Sequence, residues 1–434
     1  IFPEANVIIM VLISGVFSAA IGAVFGLPSL RIKGLYLAVT TLAAQFFLEW
    51  CFIRIPWLYN YNASGAIEVP HREVFGIVAS GAEATPLARY FIVLGITVFI
   101  ALLMANVLRG RIGRSWMMIR DMDIAAERLA EAIIARETVT IYGDYDVDGA
   151  TSAALLIRLL DALGLEARYY IPDRLLEGYG PSGEALVRLG QNGSSLVVTV
   201  DCGAMAHDAL RQAHEAGVDV IVVDHHKCSA ELPHAVALVN PNRLDEADDA
   251  AAHGHLAAVG VAFLLAIATV RTLRGRGYFE GRSEPDLLAL LDLVALGTVA
   301  DVAALRGLNR AFVAQGLKVM ARRDNTGMRA LIDASRLNRA PTCSDLGFAL
   351  GPRINAGGRV GESTLGVRLL TTADPDEAQK IAAQLSALNE ERRAIEAAVQ
   401  DAAEAQLAAQ HNRAVQIVSG RGWQPGVIRI VAGR

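Results

Sequence analysis

The chain of 434 residues is mildly acidic, with a formal net charge of −5 at pH 7, and 53% of its residues are hydrophobic. This net charge gives no support to nucleic-acid binding through an overall basic surface. Binding of a nucleic acid would need a local basic groove. The four cysteines, at positions 51, 202, 228 and 343, lack Cys-x-x-Cys spacing. That spacing disfavours a zinc site and suits a reducing compartment.

The hydrophobic excess lies in the first quarter of the chain. Residues 7–27 and 90–108 contain no charged side chain, and each run is long enough to cross a bilayer as a helix. Residues 34–52 are also apolar but carry Gln45 and Glu49, which indicates either a weaker span or one that faces protein. The sequence therefore predicts about three transmembrane helices in residues 1–120.

Basic residues predict the orientation of these spans. They follow the first span and the last one, at Arg31 and Lys33 and at Arg109, Arg111 and Arg114. By the positive-inside rule both flanks face the cytoplasm. Three spans are consistent with a cytoplasmic position of both basic flanks. In this topology residues 56–86 lie outside the cell and the remainder of the chain lies in the cytoplasm.

From about residue 138 the chain alternates between strand-like and helix-like runs. Strands are predicted at 139–142, 168–171, 196–200 and 218–223, and helices at 150–163, 183–189 and 206–216. This alternation predicts an α/β fold with a doubly wound parallel sheet. A mostly helical stretch follows at about 257–335, and a long charged helix is predicted from residue 374 to about 410. A second α/β lobe is expected to begin near residues 414–419.

Four motifs place acids or imidazoles directly beside these apolar runs. The first is Tyr-Gly-Asp-Tyr-Asp-Val-Asp-Gly at 142–149, whose acids alternate directly after a strand. Acids at successive strand ends converge on one edge of a parallel sheet. Such a concentration of negative charge is costly unless metal ions neutralise it, so the motifs predict a metal site. Together they contribute Asp144, Asp146, Asp148, Asp201, Asp224, His225, His226 and Asp301.

In this order the motifs resemble the DHH phosphoesterase superfamily, and their fuller wording resembles the RecJ family of single-strand-specific 5′→3′ DNA exonucleases. The segments that carry the resemblance are 143–152, 178–180, 223–226, 297–301 and 351–359. It extends from about Asp121 to Arg434. The resemblance implies a DHH-type doubly wound sheet with a helical insert, a long bridging helix and a truncated second α/β lobe. The expected divisions are a transmembrane fragment at 1–120, a DHH domain at 121–335, a motif loop and bridging helix at 336–410, and the start of a DHHA1-like lobe at 411–434.

By this resemblance the motif residues form a two-metal site for phosphodiester hydrolysis. Asp146 is assigned to one divalent ion and Asp148 to the other, and Asp201 bridges the two. His225 and Asp301 complete the ligands of the second ion. The mixed carboxylate and imidazole set favours Mn²⁺, with Mg²⁺ as the alternative.

The remaining motif residues support this centre. By resemblance, His226 faces the scissile phosphate or orients its neighbour, and with Asp201 and His225 it makes up the predicted catalytic set. Asp144 is expected to reach an ion through water rather than directly. Asp224 is expected to fix one of the two imidazoles by hydrogen bonding.

The glycine-rich segment 351–359 is predicted to be a substrate-binding loop. It carries Arg353, Asn355 and Arg359, and by resemblance it meets the DNA backbone near the metals. Arginine can grip a phosphate through two parallel hydrogen bonds, and glycines allow a strand to come close. Single-stranded DNA is therefore the expected partner.

The last residues depart from the family pattern. Gln424 replaces a histidine that is expected to bind substrate, and Arg429 replaces a glycine in an expected strand. The rest of the second lobe and the oligonucleotide-binding barrel of the family do not follow in the sequence. We therefore expect a complete metal centre and an impaired grip on DNA.

The front of the chain resembles a different family. Segments 26–38 and 113–127 are similar to the LivM-type permease of branched-chain amino-acid ABC transporters. In that family further spans follow, whereas here the chain continues at 128–133 into the lead-in helix of RecJ-like proteins. The resemblance implies a join of two unrelated parts near 121–127, with no ATPase partner coupled to the fragment. The expected location is a nuclease core in the cytoplasm and an N-terminal segment in the inner membrane.

Three other functions compete with the exonuclease. Another DHH phosphoesterase could act on short oligonucleotides or cyclic dinucleotides, but such relatives carry Gly-Gly-Gly-His where this chain has Gly-Gly-Arg-Val at 357–360. A transport component is disfavoured because too few spans remain for a translocation path. An inactive chimeric fusion is the third alternative.

Overall fold

The computed structural model describes residues 13–22, 35–56, 61, 71–74, 77–81, 83–109, 111–173, 177–178, 180–243, 253–408 and 417–432. The chain divides into two compact units, Ile1–Asn106 and Val107–Arg434. This division falls earlier in the chain than the boundary near residue 120 that we expected from the sequence. The described residues of the N-terminal part are mainly helical.

The described residues of the N-terminal part of the chain form three helices and a short hairpin. The helices are α1 (Ile13–Gly22), α2 (Leu35–Arg54) and α3 (Pro86–Arg109), and the antiparallel strands are β1 (Arg72–Val74) and β2 (Ile77–Ser80). They match the predicted spans, although residues 7–12 and 23–27 of the first span lie outside the described residues. Pro86–Leu103 has the length and apolarity of a membrane span and no buried residue. Insertion of this helix in a membrane stays a prediction.

Five parallel strands form the sheet of the second unit. They are β3 (Val139–Gly143), β4 (Arg168–Tyr170), β5 (Leu196–Val200), β6 (Asp219–Val223) and β7 (Ala237–Val239), in the order β4-β3-β5-β6-β7. The first four confirm the predicted strands. The fifth was not predicted, because its three residues lie between Pro233 and Pro241 in a run too short to show a period.

Apolar side chains cover both faces of this sheet. Ile141, Val198 and Ile221 point into one hydrophobic core. Val197 and Val220, one position along the strands, point into a second core on the opposite face. Strands that are apolar on both faces are typical of parallel sheets with helices on each side. The structure thus confirms the predicted doubly wound α/β arrangement.

The helices of the second unit follow the predicted order. They are α4 (Arg111–Ala135), α5 (Val147–Ala162), α6 (Gly183–Gln191), α7 (His207–Glu215), α8 (Ala258–Gly275), α9 (Leu291–Ala300), α10 (Gly307–Met320), α11 (Thr326–Ala334), α12 (Gly351–Val360), α13 (Leu365–Thr371), α14 (Pro375–Ala408) and α15 (Pro425–Ala432). Helix α8 also has the length and apolarity of a membrane span, but 67% of it is buried, so it is a core helix. The predicted helical stretch and the long helix, α14, are confirmed, and the role of α14 as a bridge to a second lobe stays a prediction.

Two predictions about the last third of the chain were wrong. The glycine-rich segment is helix α12 rather than a loop, and it continues directly from a π-helix, Leu346–Leu350. Its glycines permit close packing: a Cβ on Gly358 would lie 2.7 Å from the main-chain oxygen of Tyr145. Residue 429 lies in α15 and not in a strand, and its side chain is outside the described atoms.

The strand order locates a crevice for a site by topology alone. After β3 the chain adds β4 on one side and then crosses to place β5 on the other side of β3. Ligands of open α/β sheets bind at such a switch point, beyond the carboxyl ends of the two strands. The acids at 144–148 follow β3, and Asp201 follows β5.

Candidate metal centre

A tight turn between β3 and α5 gathers the first three acids. Asp146 is the N-cap of α5, and its carboxylate accepts a hydrogen bond from the main-chain N–H of Gly149 at 3.1 Å. A Cβ on Gly149 would lie only 2.5 Å from the main-chain oxygen of Asp144. Glycine is therefore required for the turn to close, and the closed turn brings Asp144 and Asp146 toward the neighbouring strand end.

Asp148 is a buried carboxylate held at the start of another helix. It is 1% exposed, and its two oxygens accept hydrogen bonds from the main-chain N–H groups of Ala258 at 2.6 Å and Val259 at 2.9 Å. The positive end of the α8 dipole stabilises the anion. Burial, with the negative charges of Asp301 and Asp146, nevertheless raises the pKa of Asp148 well above its usual range.

Asp201 occupies a strained position at the end of β5. Its φ of 61° lies in the left-handed region, which residues other than glycine rarely adopt, and it is 2% exposed. Backbone strain of this kind clusters at functional sites. Burial and the charges of Asp146 and Asp148 raise the pKa of Asp201 well above its usual range, because one more anion among these acids is disfavoured when no cation compensates it.

Asp224 fixes His226 rather than His225. One of its oxygens lies 2.8 Å from His226 Nδ1 and also accepts hydrogen bonds from the main-chain N–H groups of both histidines. Burial raises the pKa of Asp224, but the interactions with the His226 ring and the hydrogen bonds from the main-chain N–H groups of Ala204 and His226 together outweigh burial, and the pKa is lowered. The same hydrogen bond raises the pKa of His226. Asp224 and His226 therefore favour each other's charged forms.

His225 contacts the acids themselves. Its Nε2 lies 3.2 Å from Asp201 Oδ1 and 3.9 Å from Asp148 Oδ2, and its Nδ1 lies 3.9 Å from Asp301 Oδ2. Burial and the neighbouring His226 lower the pKa of His225, which favours the neutral form that binds metals. Asp301 ends helix α9, and burial with the charge of Asp146 raises its pKa to about 6.

The arrangement fits divalent cations. Three groups of side chains have ligand atoms within 4.8 Å of one another: Asp148, His225 and Asp301; Asp144, Asp146 and Asp201; and Asp201, His225 and His226. Buried Asp201 Oδ1 and His225 Nε2 have no hydrogen-bond partner among the described residues. A cation between the groups would both satisfy these atoms and neutralise the excess charge. Asp144 belongs to the same group as Asp146 and Asp201, so its position is compatible with direct ligation.

The three residues predicted to bind substrate make contacts inside the protein. Arg353 donates to the main-chain oxygen of Ala349 at 2.6 Å and to Ser386 Oγ at 3.1 Å. Arg359 donates to the main-chain oxygen of Gly426 at 2.8 Å. Asn355 Oδ1 accepts a hydrogen bond from the main-chain N–H of Val147 at 3.1 Å, so it contacts the turn that holds the acids. Their role toward substrate stays a prediction.

Two asparagines that the motifs did not single out hold the histidine pair. Asn240 Nδ2 donates to the main-chain oxygen of His226 at 2.8 Å, and Asn242 Nδ2 donates to that of His225 at 2.5 Å. Asn242 also donates to the main-chain oxygen of Gly254 at 3.0 Å. Their only signal in the sequence is an Asn-Pro-Asn turn after a short apolar run, which by itself indicates no more than a turn.

The fold and the site define a protein of the DHH type: a doubly wound parallel sheet whose switch point gathers the four acid and imidazole motifs. In agreement, the DHH family N-terminal domain matches residues 138–298. A crystal structure of exonuclease RecJ bound to manganese is 37% identical to the chain, with a TM-score of 0.62, and the match covers 72% of this chain and 76% of that one. The chain belongs to the RecJ family.

Other relatives give the same result. RecJ of Thermus thermophilus in complex with Mn²⁺ is 35% identical with a TM-score of 0.60, over 72% of this chain and 44% of that one. The single-stranded-DNA-specific exonuclease RecJ of Dickeya dadantii is 45% identical over 281 residues, 64% of this chain and 48% of the relative. The chain spans about half the length of the curated relatives it matches. These matches support the nuclease part and give no support to a permease at the front.

Proposed function

We propose that the chain hydrolyses phosphodiester bonds of single-stranded DNA from the 5′ end, with two divalent ions, Mn²⁺ or Mg²⁺. The observation that carries this proposal is the 3.2 Å contact between Asp201 Oδ1 and His225 Nε2. That contact joins two separate groups of metal-binding side chains into one centre. Relatives of the family are described as single-stranded-DNA-specific exonucleases, and solved structures of them hold manganese or magnesium.

The two groups divide the ligands between the ions. Asp146, with Asp144 beside it, would hold one ion, and Asp148, His225 and Asp301 would hold the other, with Asp201 shared. When bound, such a pair of ions activates water and stabilises the negative charge that develops on the phosphate. The main-chain N–H groups at the start of α8 keep the Asp148 carboxylate in place for its ion.

His226 is suited to meet the substrate. About half of its side chain is exposed, and Asp224 holds its Nδ1, which leaves Nε2 as the ring nitrogen that can meet the substrate. The hydrogen bond to Asp224 raises the pKa of His226 and so favours the protonated imidazole, which can donate to a phosphate oxygen. Asp224 and His226 would thus position the scissile phosphate against the metal centre.

A substrate panel tests this proposal. The full chain is incubated with Mn²⁺ and with 5′-labelled single-stranded DNA, duplex DNA, single-stranded RNA or a cyclic dinucleotide, and Asp201→Ala serves as the inactive control. We expect mononucleotide release from single-stranded DNA and loss of nearly all turnover in the control, because Asp201 binds both ions. Preference for the cyclic dinucleotide, or wild-type turnover in Asp201→Ala, would contradict the proposal.

For the front of the chain we infer insertion in the inner membrane, with the nuclease core in the cytoplasm. Support comes from the uncharged runs, from the exposed helix Pro86–Leu103 and from the basic residues that flank the spans. We further propose that residues 1 to about 127 are a fragment of a LivM-type permease. This fragment joins the second part of the chain near 121–127, and no ATPase is coupled to it. Protease protection on sealed inverted and right-side-out vesicles tests it: cleavage of the core from the periplasmic side would overturn it.

The division of the second unit is also a proposal. We assign 121–335 to the DHH domain, 336–410 to the substrate segment and bridging helix, and 411–434 to the start of a further lobe. The long helix α14, which leaves the region of α12 and leads toward α15, supports the second boundary. Limited proteolysis with mass spectrometry of the fragments would locate the boundaries, and primary cleavage inside 139–335 would contradict them.

A further inference from the structure

Phe348 exposes a large aromatic surface in the turn that precedes α12. Its side chain is 78% exposed, and it lies in the middle of the π-helix Leu346–Leu350. π-Helical turns are rare and are frequently found at functional sites. An aromatic ring left in water gains nothing for the fold, so its exposure at such a turn indicates a binding role.

The π-helix packs on the helix that carries a predicted metal ligand. A Cβ on Gly351 would lie 3.1 Å from Ala300 Cβ, and one on Gly347 would lie 3.6 Å from Val299 Cγ1. These α9 residues immediately precede Asp301, at which the helix ends. The turn that carries the exposed ring therefore packs directly against the end of the helix that presents this ligand.

Beside Phe348 a cleft of about 450 Å³ opens between α12 and α14. Phe348, Pro352 and Arg393 line it, and so do Arg392 and Glu396, which form an ion pair with each other. Pro352 and Phe348 give one side of the cleft an apolar wall, and α14 supplies the opposite wall. The volume is that of a small-ligand pocket and suits a single nucleotide unit better than a folded protein surface.

One further guanidinium group, that of Arg353, follows the lining residue Pro352 and adds to the positive charge of Arg393. Arg353 is held in one orientation by its hydrogen bonds to Ala349 in the π-helix and to Ser386 in α14. Its pKa is lowered, first by burial and then by the positive charge of Arg393, an effect that the charge of Glu390 opposes less strongly. Within the described part of the chain Arg393 is exposed and forms no ion pair. Two like charges held near one another are stabilised by an anion.

We propose that this cleft is a subsite for one nucleotide of a single strand, in which Phe348 stacks on the base and Arg353 with Arg393 binds the phosphate. An aromatic platform beside arginines is the combination that single-stranded nucleic acids recognise. A covering protein segment would account for the exposed ring but not for the two arginines that repel each other. The subsite rests on the proposed single-strand nuclease function and adds residues that the sequence motifs did not assign to substrate.

The test uses the full chain in detergent with Mn²⁺ and compares two substrates. One is a single-stranded oligonucleotide, and the other is bis(p-nitrophenyl) phosphate, a small phosphodiester that reaches the metals without filling the cleft. We expect Phe348→Ala to raise KM for the oligonucleotide about five- to a hundredfold. Turnover of the small phosphodiester should stay within about twofold, and Phe348→Trp should restore the oligonucleotide KM.

The charge and the base are tested separately. Arg393→Gln should raise KM and lower the slope of log KM against log salt by about 1, because one phosphate contact is removed. The difference between Phe348→Ala and wild type should shrink on oligonucleotides that carry abasic positions, since no base remains to stack. Leu288→Ala and Arg322→Gln, an exposed leucine and an exposed arginine outside the cleft, are the matched controls and should leave KM unchanged.

The possible results distinguish a failure of the proposed subsite from a failure of the proposed nuclease function. If wild type degrades single-stranded DNA and both cleft variants keep its KM, the subsite is wrong and the nuclease function stands. If the variants keep KM but change oligomeric state or melting temperature, the cleft is a protein contact and the subsite is equally overturned. If wild type hydrolyses the small phosphodiester but no single strand, the proposed function fails and the subsite fails with it.

Discussion

The side-chain amide of Asn242 donates a hydrogen bond to the main-chain oxygen of His225, with the two atoms 2.5 Å apart. The same amide donates to Gly254, four residues before Ala258, whose N–H binds Asp148. One asparagine therefore ties two predicted metal ligands, an imidazole and a carboxylate, into a single frame.

Replacing this asparagine should weaken metal binding more than it weakens the fold. We expect Asn242→Ala to lower Mn²⁺ affinity about 10- to 100-fold, as removal of groups that orient metal ligands does. The free energy of unfolding in EDTA should fall by about 1–3 kcal/mol for the lost hydrogen bonds. Isothermal titration with Mn²⁺ measures the first effect. Exposed Asn192, after α6, is the matched control, and an unchanged Mn²⁺ affinity in Asn242→Ala would contradict the prediction.

Removing one charge from the cluster should stabilise the metal-free protein and inactivate it. Burial and the nearby acids disfavour the anionic form of Asp201, so its isosteric amide relieves repulsion when no cation is present. Asparagine also tolerates the left-handed backbone at φ 61°. We expect Asp201→Asn to raise the melting temperature in EDTA, by about 2–4 °C for each kcal/mol gained.

The pH dependence of that gain has a fixed sign. A carboxyl whose pKa is raised in the folded state destabilises the protein at high pH, where it is ionised. It has no such effect at a pH below about 3.9, the pKa of aspartate in the unfolded chain. The difference in melting temperature between Asp201→Asn and wild type in EDTA should therefore grow as the pH rises from about 4 to 8. Saturating Mn²⁺ should reverse the order of stability. A variant less stable than wild type in EDTA at pH 8 would show that Asp201 supports the fold by itself.

Asp345 should stabilise the turn before Phe348 at neutral pH and lose this effect in acid, whereas Asp201 destabilises the metal-free protein at neutral pH. Its carboxylate accepts hydrogen bonds from Arg339 at 2.6 and 2.9 Å and from Thr342, which lowers its pKa to about 2. Because Arg339 is largely exposed, we expect Asp345→Ala to cost about 1–2 kcal/mol of unfolding free energy at pH 7. A lowered pKa stabilises above the unfolded value, so the cost should vanish as the pH falls from about 4 to 2. Urea unfolding across this range checks it; a cost that does not depend on pH would exclude the ion pair.

Gly297 marks how closely two helices approach at the site. A Cβ at this position would lie 2.2 Å from Thr151 Oγ1, 2.8 Å from Val259 Cγ1 and 3.0 Å from Asp148 Oδ1, so Gly297→Ala must shift the side chains that pack around the Asp148 carboxylate. We expect a loss of about 1–3 kcal/mol in stability and a large fall in turnover. Gly275→Ala is the matched control, because a Cβ there meets no atom within 4 Å and alanine favours the helix. Equal activity of the two variants would contradict this packing.

The sequence predicted those features that depend on local pattern. Alternating apolar runs located β3, β5 and β6, and the acids at their ends converge as expected because parallel strands share an edge. Features that depend on contacts between distant residues were not predictable in this way. The glycines of α12 indicated a loop because glycine is rare inside helices. Their role, which is to let α12 pack closely on Tyr145 and α14, is visible only in the folded structure. Asn242 gave no signal, because its partner His225 lies 17 residues away on another strand end.

The central claim is that one acid and imidazole cluster holds two metal ions bridged by Asp201. It is tested most directly by the electron paramagnetic resonance spectrum of the full chain titrated with Mn²⁺. We predict two ions per chain and a spin-coupled spectrum, because a shared carboxylate couples ions about 3.5–4 Å apart; Asp201→Ala should lose the coupling. A single uncoupled Mn²⁺ per chain in the wild type, at saturating metal, would contradict the account.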